Sequence, residues 1–231
     1  MSTPPNNPDH AIPLPLLQRF LDPARPSLKI CGVTRPDDAR MLADLGIDAL
    51  GVNFWPRSKR HIDPESADWL APLAGRILRV GVFVNAPPSL PLRLVAAGLL
   101  DLVQLHGDES PADAAPFLDA GVPFIKAIGA KSRDDLAQSA DFGAAAILLD
   151  AHAPGLYGGT GASADWSLAS DFMRRHPSLP LILAGGIAPD NAAAALAAVR
   201  PAALDVASGA ESAPGIKDFA KIKALIRQIP S

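Results

Sequence analysis

The stretch Leu28 to Phe54, LKICGVTRPDDARMLADLGIDALGVNF, decides the fold. It opens on one apolar run, LKIC (28–31), and closes on another, DALGVNF (48–54). Both are short and bounded by turn residues, as buried strands are. Between them, TRPDDARMLADL (34–45) carries helix signals: Thr34 as an N-cap candidate, Pro36 near the first turn, and Gly46 just past the end. A strand, a helix and a second strand in that order make a parallel βαβ unit.

The same design repeats to the C-terminus. Further strand-like runs are LRVGVFV (78–84), LVQL (102–105), PFIKAI (123–128), AAILLD (145–150), LPLILAGG (179–186) and ALDVAS (203–208). Helix-like stretches at 111–119, 132–139, 167–176, 189–199 and 217–228 fall among and after them. Eight units of roughly 25 residues suit a short (β/α)8 TIM barrel. The rival is an open doubly wound sheet, which usually carries G-x-G-x-x-G after its first strand. Here the first strand ends in Cys31-Gly32-Val33-Thr34, without that fingerprint. The reading is a single (β/α)8 barrel domain over residues 27–231. It is preceded by a proline-rich arm, 1–26, in which IPLPLLQRFL (12–21) lies on the domain surface or forms a short helix.

Composition narrows the function. The 231 residues are 48% hydrophobic, enough for a core without staples. No apolar run approaches the ~20 residues of a membrane span. The opening MSTPPNNPDH lacks the basic start and apolar stretch of a signal peptide, so a soluble, cytoplasmic protein is expected. A net charge of −3 without a basic cluster argues against nucleic acid as partner. A small phosphorylated metabolite stays open, because backbone N–H groups hold phosphate without net positive charge. The single cysteine, Cys31, can form neither an internal disulfide nor a thiolate metal cluster. By composition it is either a small buried hydrophobe or a reactive thiol.

Placement favours the second reading. Barrel active sites form at the C-terminal ends of the strands, and the unusual residues gather there. Cys31 ends the first run, Asn85 the third, Gln104 and His106 the fourth, and Asp150 the sixth. Arg60 closes a short loop, PRSKR, after the second. Gly185 and Gly186 end the seventh, and Ser208 and Gly209 the eighth. Strand alternation puts Lys29 on the face of Cys31 and Leu148 on that of Asp150. An interior lysine needs a partner. Asp205, in the eighth run and adjacent to the first in a closed barrel, is the candidate, as a structural ion pair or a substrate contact. Glycine-rich segments at Gly158-Gly159, Gly185-Gly186 and Ser208-Gly209 sit on one rim and suit a phosphate.

These motifs resemble the phosphoribosylanthranilate isomerase family of tryptophan biosynthesis. The resemblance rests on KICGVTRPDDA (29–39), RVGVFVN (79–85), VQLHGDE (103–109), YGGTG with a following DW (157–161, 165–166), LAGGIAPDN (183–191) and DVASGAESAPGIKD (205–218). It runs from about Leu28 to the C-terminus. It implies an aldose–ketose isomerase that performs an Amadori rearrangement on an aminoaldose phosphate, without cofactor or metal, as a monomer or homodimer. By the same resemblance Cys31 is the general base, Asp150 the general acid, and Arg60 the ligand of the anthranilate carboxylate. The glycine-rich ends of loops six, seven and eight hold the phosphate. His106 either faces substrate or anchors its loop.

Two positions depart from expectation. Asn53 stands where an apolar residue is expected and needs hydrogen bonds if buried. The family's usual Ser-Ser-Gly after strand eight is Ala207-Ser208-Gly209. Three rival readings are an aminoaldose isomerase of histidine biosynthesis, a catalytically silent metabolite-binding barrel and a metal-dependent epimerase. The first uses aspartate at the end of strand one, where this chain has Cys31. Retention of both Cys31 and Asp150 speaks against the second. The third needs a set of His and Asp ligands across the strand ends, which the sequence does not show.

Overall fold

The computed structural model describes residues 14–129, 132–150 and 165–230. Eight parallel strands close into a barrel in chain order. They are β1 (Ser27–Cys31), β2 (Ala49–Asn53), β3 (Leu78–Phe83), β4 (Leu102–Leu105), β5 (Phe124–Ile128), β6 (Ala146–Leu149), β7 (Leu181–Leu183) and β8 (Ala203–Val206). Each matches one of the apolar runs. Such runs read clearly because barrel strands are buried on both faces. Alternate residues face inward: Ala49, Val80, Leu102, Ile125, Leu148, Ile182 and Ala203 belong to the interior cluster. Their neighbours, Leu50, Val103, Ile147 and Leu204 among them, pack beneath the outer layer.

That layer contains α2 (Pro36–Asp44), α3 (Ser89–Ala96), α4 (Pro111–Asp119), α5 (Arg133–Ser139), α6 (Trp166–Arg175), α7 (Ala192–Val199) and α8 (Phe219–Ile226). Between β2 and β3 the crossover is made instead by 3₁₀ turns at Pro64–Ser66 and Asp68–Leu73. Pro72, inside the second turn, breaks an α-helical ladder there. The buried Arg79 ties this segment to the sheet, donating to the Leu70 carbonyl and pairing with Asp101 at 2.6 Å.

Local differences from the sequence reading have simple causes. Helix α2 is capped at Arg35 without a side-chain bond, and the Thr34 hydroxyl donates instead to the Gly215 carbonyl at 2.7 Å. The last helix begins at Phe219, with Asp218 capping it. Lys217, read as the start of that helix, belongs to a small antiparallel hairpin, β9 (Glu211–Ala213) and β10 (Ile216–Lys217). Asn53 meets its hydrogen-bonding need locally, accepting from the Trp55 N–H at 2.9 Å.

Within the proline-rich segment, α1 (Leu14–Phe20) is part of the packing. Phe20 is fully buried, and with Leu17 it joins the interior cluster that holds Ala49, Leu78 and Ala203, each the first residue of its strand. The helix thus plugs the N-terminal end of the barrel, opposite the predicted site. Arg19 and Arg25 pair with Asp48 and fasten it from outside. Leu17→Ala is expected to lower stability by about 2 kcal/mol, or roughly 6 °C in Tm. A thermal melt coincident with wild type would remove α1 from the core. Among the described residues, no helix is long and apolar enough to cross a membrane.

Candidate active site

Cys31 ends β1 at the C-terminal mouth and is half-buried. Its sulfur lies against Gly51, where any Cβ would crowd both Sγ and the Lys29 ammonium. Lys29, two residues earlier on the same face, is fully buried. Its Nζ reaches Asp205 Oδ1 at 2.9 Å, across the β1–β8 seam where the two residues stand in register. The pair joins the first strand to the last.

The electrostatics follow from burial. Removal from water pushes the Cys31 thiol above its ordinary range; the Lys29 cation pulls it back, and Asp205 adds to the rise. Burial pulls Lys29 down, but Asp205 and Cys31 more than offset it, so the ammonium is held above its usual value. A cation therefore stands beside the sulfur throughout the neutral range.

Asp150 lies one residue past β6, its N–H bonded to the Ile128 carbonyl at 3.0 Å. Round the ring, β6 is three positions from β1, through β7 and β8. His106, just past β4, approaches Asp150 Oδ2 through Nε2 at 3.3 Å. Its Nδ1 lies 2.8 Å from Gln104 Nε2. An amide nitrogen can only donate, so in this orientation Nδ1 accepts and Nε2 carries the proton toward Asp150. Asp150, His106 and Gln104 form one polar chain across the mouth.

Arg60 sits over Cys31's neighbour, with its aliphatic arm where a Gly32 Cβ would be. Its guanidinium is engaged along one edge: Nε to Glu211 Oε1 at 2.9 Å and Nη2 to Oε2 at 2.7 Å. Among the described residues none takes the Nη1/Nη2 edge, and a guanidinium binds a carboxylate best along an edge.

Loops seven and eight meet on the same rim. Gly185 and Gly186 both take positive φ, 79° and 66°, a geometry glycine adopts without strain and which lets a ligand approach the backbone closely. Asn191 locks this turn, donating to the Gly186 carbonyl and accepting from the Ala188 N–H at 2.9 Å. Ser208 and Gly209 open a short 3₁₀ turn. A Cβ on Gly209 would collide with the Ile187 carbonyl, so the two loops touch. Gly158 and Gly159 lie outside the described residues.

The structure thus groups Cys31 with Asp205 through Lys29, and Asp150 with His106. Arg60 stands beside the first group. Sequence reasoning missed Glu211, Lys217 and Asn191. Asn191 had a local signal, an Asn at the start of a helix. The other two sit within a recognised motif but gain their partners only in three dimensions.

Residues 28–228 match the family described as N-(5'phosphoribosyl)anthranilate (PRA) isomerase. The N-(5'-phosphoribosyl)anthranilate isomerase of Thiobacillus denitrificans is 47% identical over 206 residues, which cover 87% of this chain and 96% of that one. The crystal structure of phosphoribosyl anthranilate isomerase from Thermotoga maritima superposes with a TM-score of 0.78 at 38% identity, covering 88% of this chain and 98% of that one. Another solved phosphoribosyl anthranilate isomerase is a complex with reduced 1-(o-carboxyphenylamino)-1-deoxyribulose 5-phosphate. It gives a TM-score of 0.74 at 36% identity and covers 88% and 97% of the two chains. The closed barrel, the motifs at its strand ends and these relatives agree: this chain belongs to the N-(5'-phosphoribosyl)anthranilate isomerase family.

Proposed function

We propose that this chain converts N-(5'-phosphoribosyl)anthranilate to 1-(2-carboxyphenylamino)-1-deoxyribulose 5-phosphate in tryptophan biosynthesis, by general acid–base catalysis. The observation that carries the reading is one thiol beside a buried ammonium and one carboxyl beside an imidazole, at the mouth of one barrel.

Asp150 donates its proton to the furanose ring oxygen as the C1′–O bond breaks. The nitrogen lone pair forms C1′=N, leaving an open-chain iminium ion. The Cys31 thiolate then removes the C2′ proton. The C–H electron pair forms C1′=C2′, and the iminium pair returns to nitrogen. The enol loses its hydroxyl proton as C1′ gains one, which gives the ketone. No electrons leave the substrate, so the chemistry calls on no redox partner. A thiolate is a suitable base because its carbon acid, alpha to an iminium, is acidified by the adjacent positive charge.

Arg60 binds the anthranilate carboxylate along its outer edge, and the backbone of loops seven and eight holds the phosphate. Support for the second point is the pair of positive-φ glycines braced by Asn191. The partner is a small phosphorylated metabolite, met in the cytoplasm by a monomer or homodimer.

The direct test is loss of phosphoribosylanthranilate fluorescence on adding purified protein, with and without chelator. Turnover insensitive to chelator is expected, and no turnover would sink the reading. Arg60→Ala is expected to raise KM about tenfold or more, the worth of a charged hydrogen-bonded contact. Unchanged KM would remove Arg60 from the substrate site.

A further inference from the structure

The hairpin β9–β10 follows the last barrel strand and returns over the end of the first. Its two inward charges, Glu211 and Lys217, are both nearly excluded from water. Lys217 Nζ donates to Glu211 Oε1 at 2.7 Å and to the carbonyl oxygen of Cys31. Glu211 also takes both donors of the Arg60 edge and the Gly215 N–H. The hairpin is anchored independently, by the Thr34 hydroxyl on the Gly215 carbonyl and by Lys221 Nζ on the Glu211 carbonyl at 2.7 Å. Buried charges are costly, and packing alone is served more cheaply by apolar residues. These two connect the thiol's backbone to the guanidinium that faces the mouth.

We infer that Lys217 and Glu211 are positioning residues. Lys217 fixes the end of β1 through the Cys31 carbonyl and brings a cation to that residue, and Glu211 aims the Arg60 guanidinium. Among the described residues, the charged groups that act on the thiol are then Lys29 on β1, Asp205 on β8, Lys217 on the hairpin and Arg60 on the loop after β2, with Glu211 joining the last two. Of these, Lys29 and Lys217 lower the thiol's proton affinity and Asp205 raises it. The same coupling acts in reverse, since Glu211 and Cys31 oppose the fall that burial imposes on Lys217.

The inference rests on the proposed roles of Cys31 and Arg60, but its test does not depend on them. Cys31 is the only cysteine and Tyr157 the only tyrosine, so the ultraviolet absorbance titration of the folded protein, less that of Cys31→Ala, which keeps the tyrosine, reports the Cys31 thiolate. Lys217→Gln keeps a donor and loses the charge. It is expected to raise the thiolate midpoint by about 1 pH unit, the effect of one nearby opposite charge. Its kcat at neutral pH should fall about tenfold, with KM changed less than about threefold. Lys217→Arg should restore the midpoint. Glu211→Gln should do the opposite, raising KM about tenfold with a smaller change in kcat.

A folded Lys217→Gln with the wild-type midpoint overturns the role of Lys217. If that variant does not fold, Lys217→Arg takes its place, and a midpoint about 1 pH unit above wild type overturns the same claim. Unchanged KM in Glu211→Gln overturns the aiming of Arg60. An active Cys31→Ala enzyme would sink the base assignment without touching the titration, so the two failures are distinguishable.

Discussion

Cys31→Ala is expected to lower kcat by about 10³-fold, the usual worth of a positioned base, with a folded protein and little change in KM. The fold should survive because the side chain is half-buried at the mouth and its loss leaves little void. Lys29 keeps its partner Asp205 in the variant, so no buried charge is stranded. Cys31→Ser is the sharper control. It keeps size and a lone pair, but a hydroxyl is far less acidic than a thiol and forms no anion near neutrality. It should be nearly as slow as alanine. The wild-type pH profile follows from the same geometry. Burial raises the thiol and Lys29 opposes it. Because the cycle needs the thiol deprotonated and Asp150 protonated at the same time, kcat/KM should pass through a maximum with pH and fall on both sides of it. Fluorescence progress curves across pH measure this. Turnover near wild type in Cys31→Ala would assign proton abstraction to another group.

The role proposed for Cys31 shows which information the sequence holds. Composition alone leaves a lone cysteine as either inert packing, the commoner case, or a reactive thiol. Its position at a strand end, shared with Asp150, Gln104 and Gly185, points to chemistry, because barrel strands carry their unusual residues to one mouth. The Lys29–Asp205 contact was legible for a similar reason: alternation puts Lys29 inside, and closure brings β8 beside β1. These inferences need only period and topology.

What stayed hidden lacks such a rule. ESAPGIKD (211–218) reads as a turn entering a helix, and two-residue β10 is too short to show alternation. The Arg60–Glu211 contact spans 151 residues, with no local pattern to announce it. The apolar residues of IPLPLLQRFL show that it packs on something. They do not say that Phe20 fills the end of the barrel rather than a groove between helices. The 3₁₀ crossover between β2 and β3 has no such rule either: Pro72 marks what its segment avoids, not the turns it adopts.

Asp150→Asn is expected to cost kcat about 10³-fold as well, by removing the only proton the proposed acid can give. The substitution is nearly isosteric, and an Asn carbonyl oxygen can still accept from His106 Nε2 in the tautomer fixed by Gln104. The polar chain across the mouth is therefore preserved, and KM should move little. That separates proton donation from placement. If Asp150 only oriented His106, the Asn variant would keep most of its activity and Gln104 or His106 substitutions would be the damaging ones. If Asp150 is the donor, the Asn variant is slow, and His106→Asn should cost less. The pattern also bears on the order of steps. Ring opening needs the acid before the base has anything to abstract, since the C2′ proton is acidified only by the iminium ion. Asp150→Asn should therefore show no exchange of the C2′ hydrogen of substrate with solvent deuterium. Cys31→Ala should not show it either, although its ring can still open. Appreciable C2′ exchange in the Asn variant would mean that the ring opens without Asp150, and the assignment of Asp150 as the proton donor for ring opening would fall.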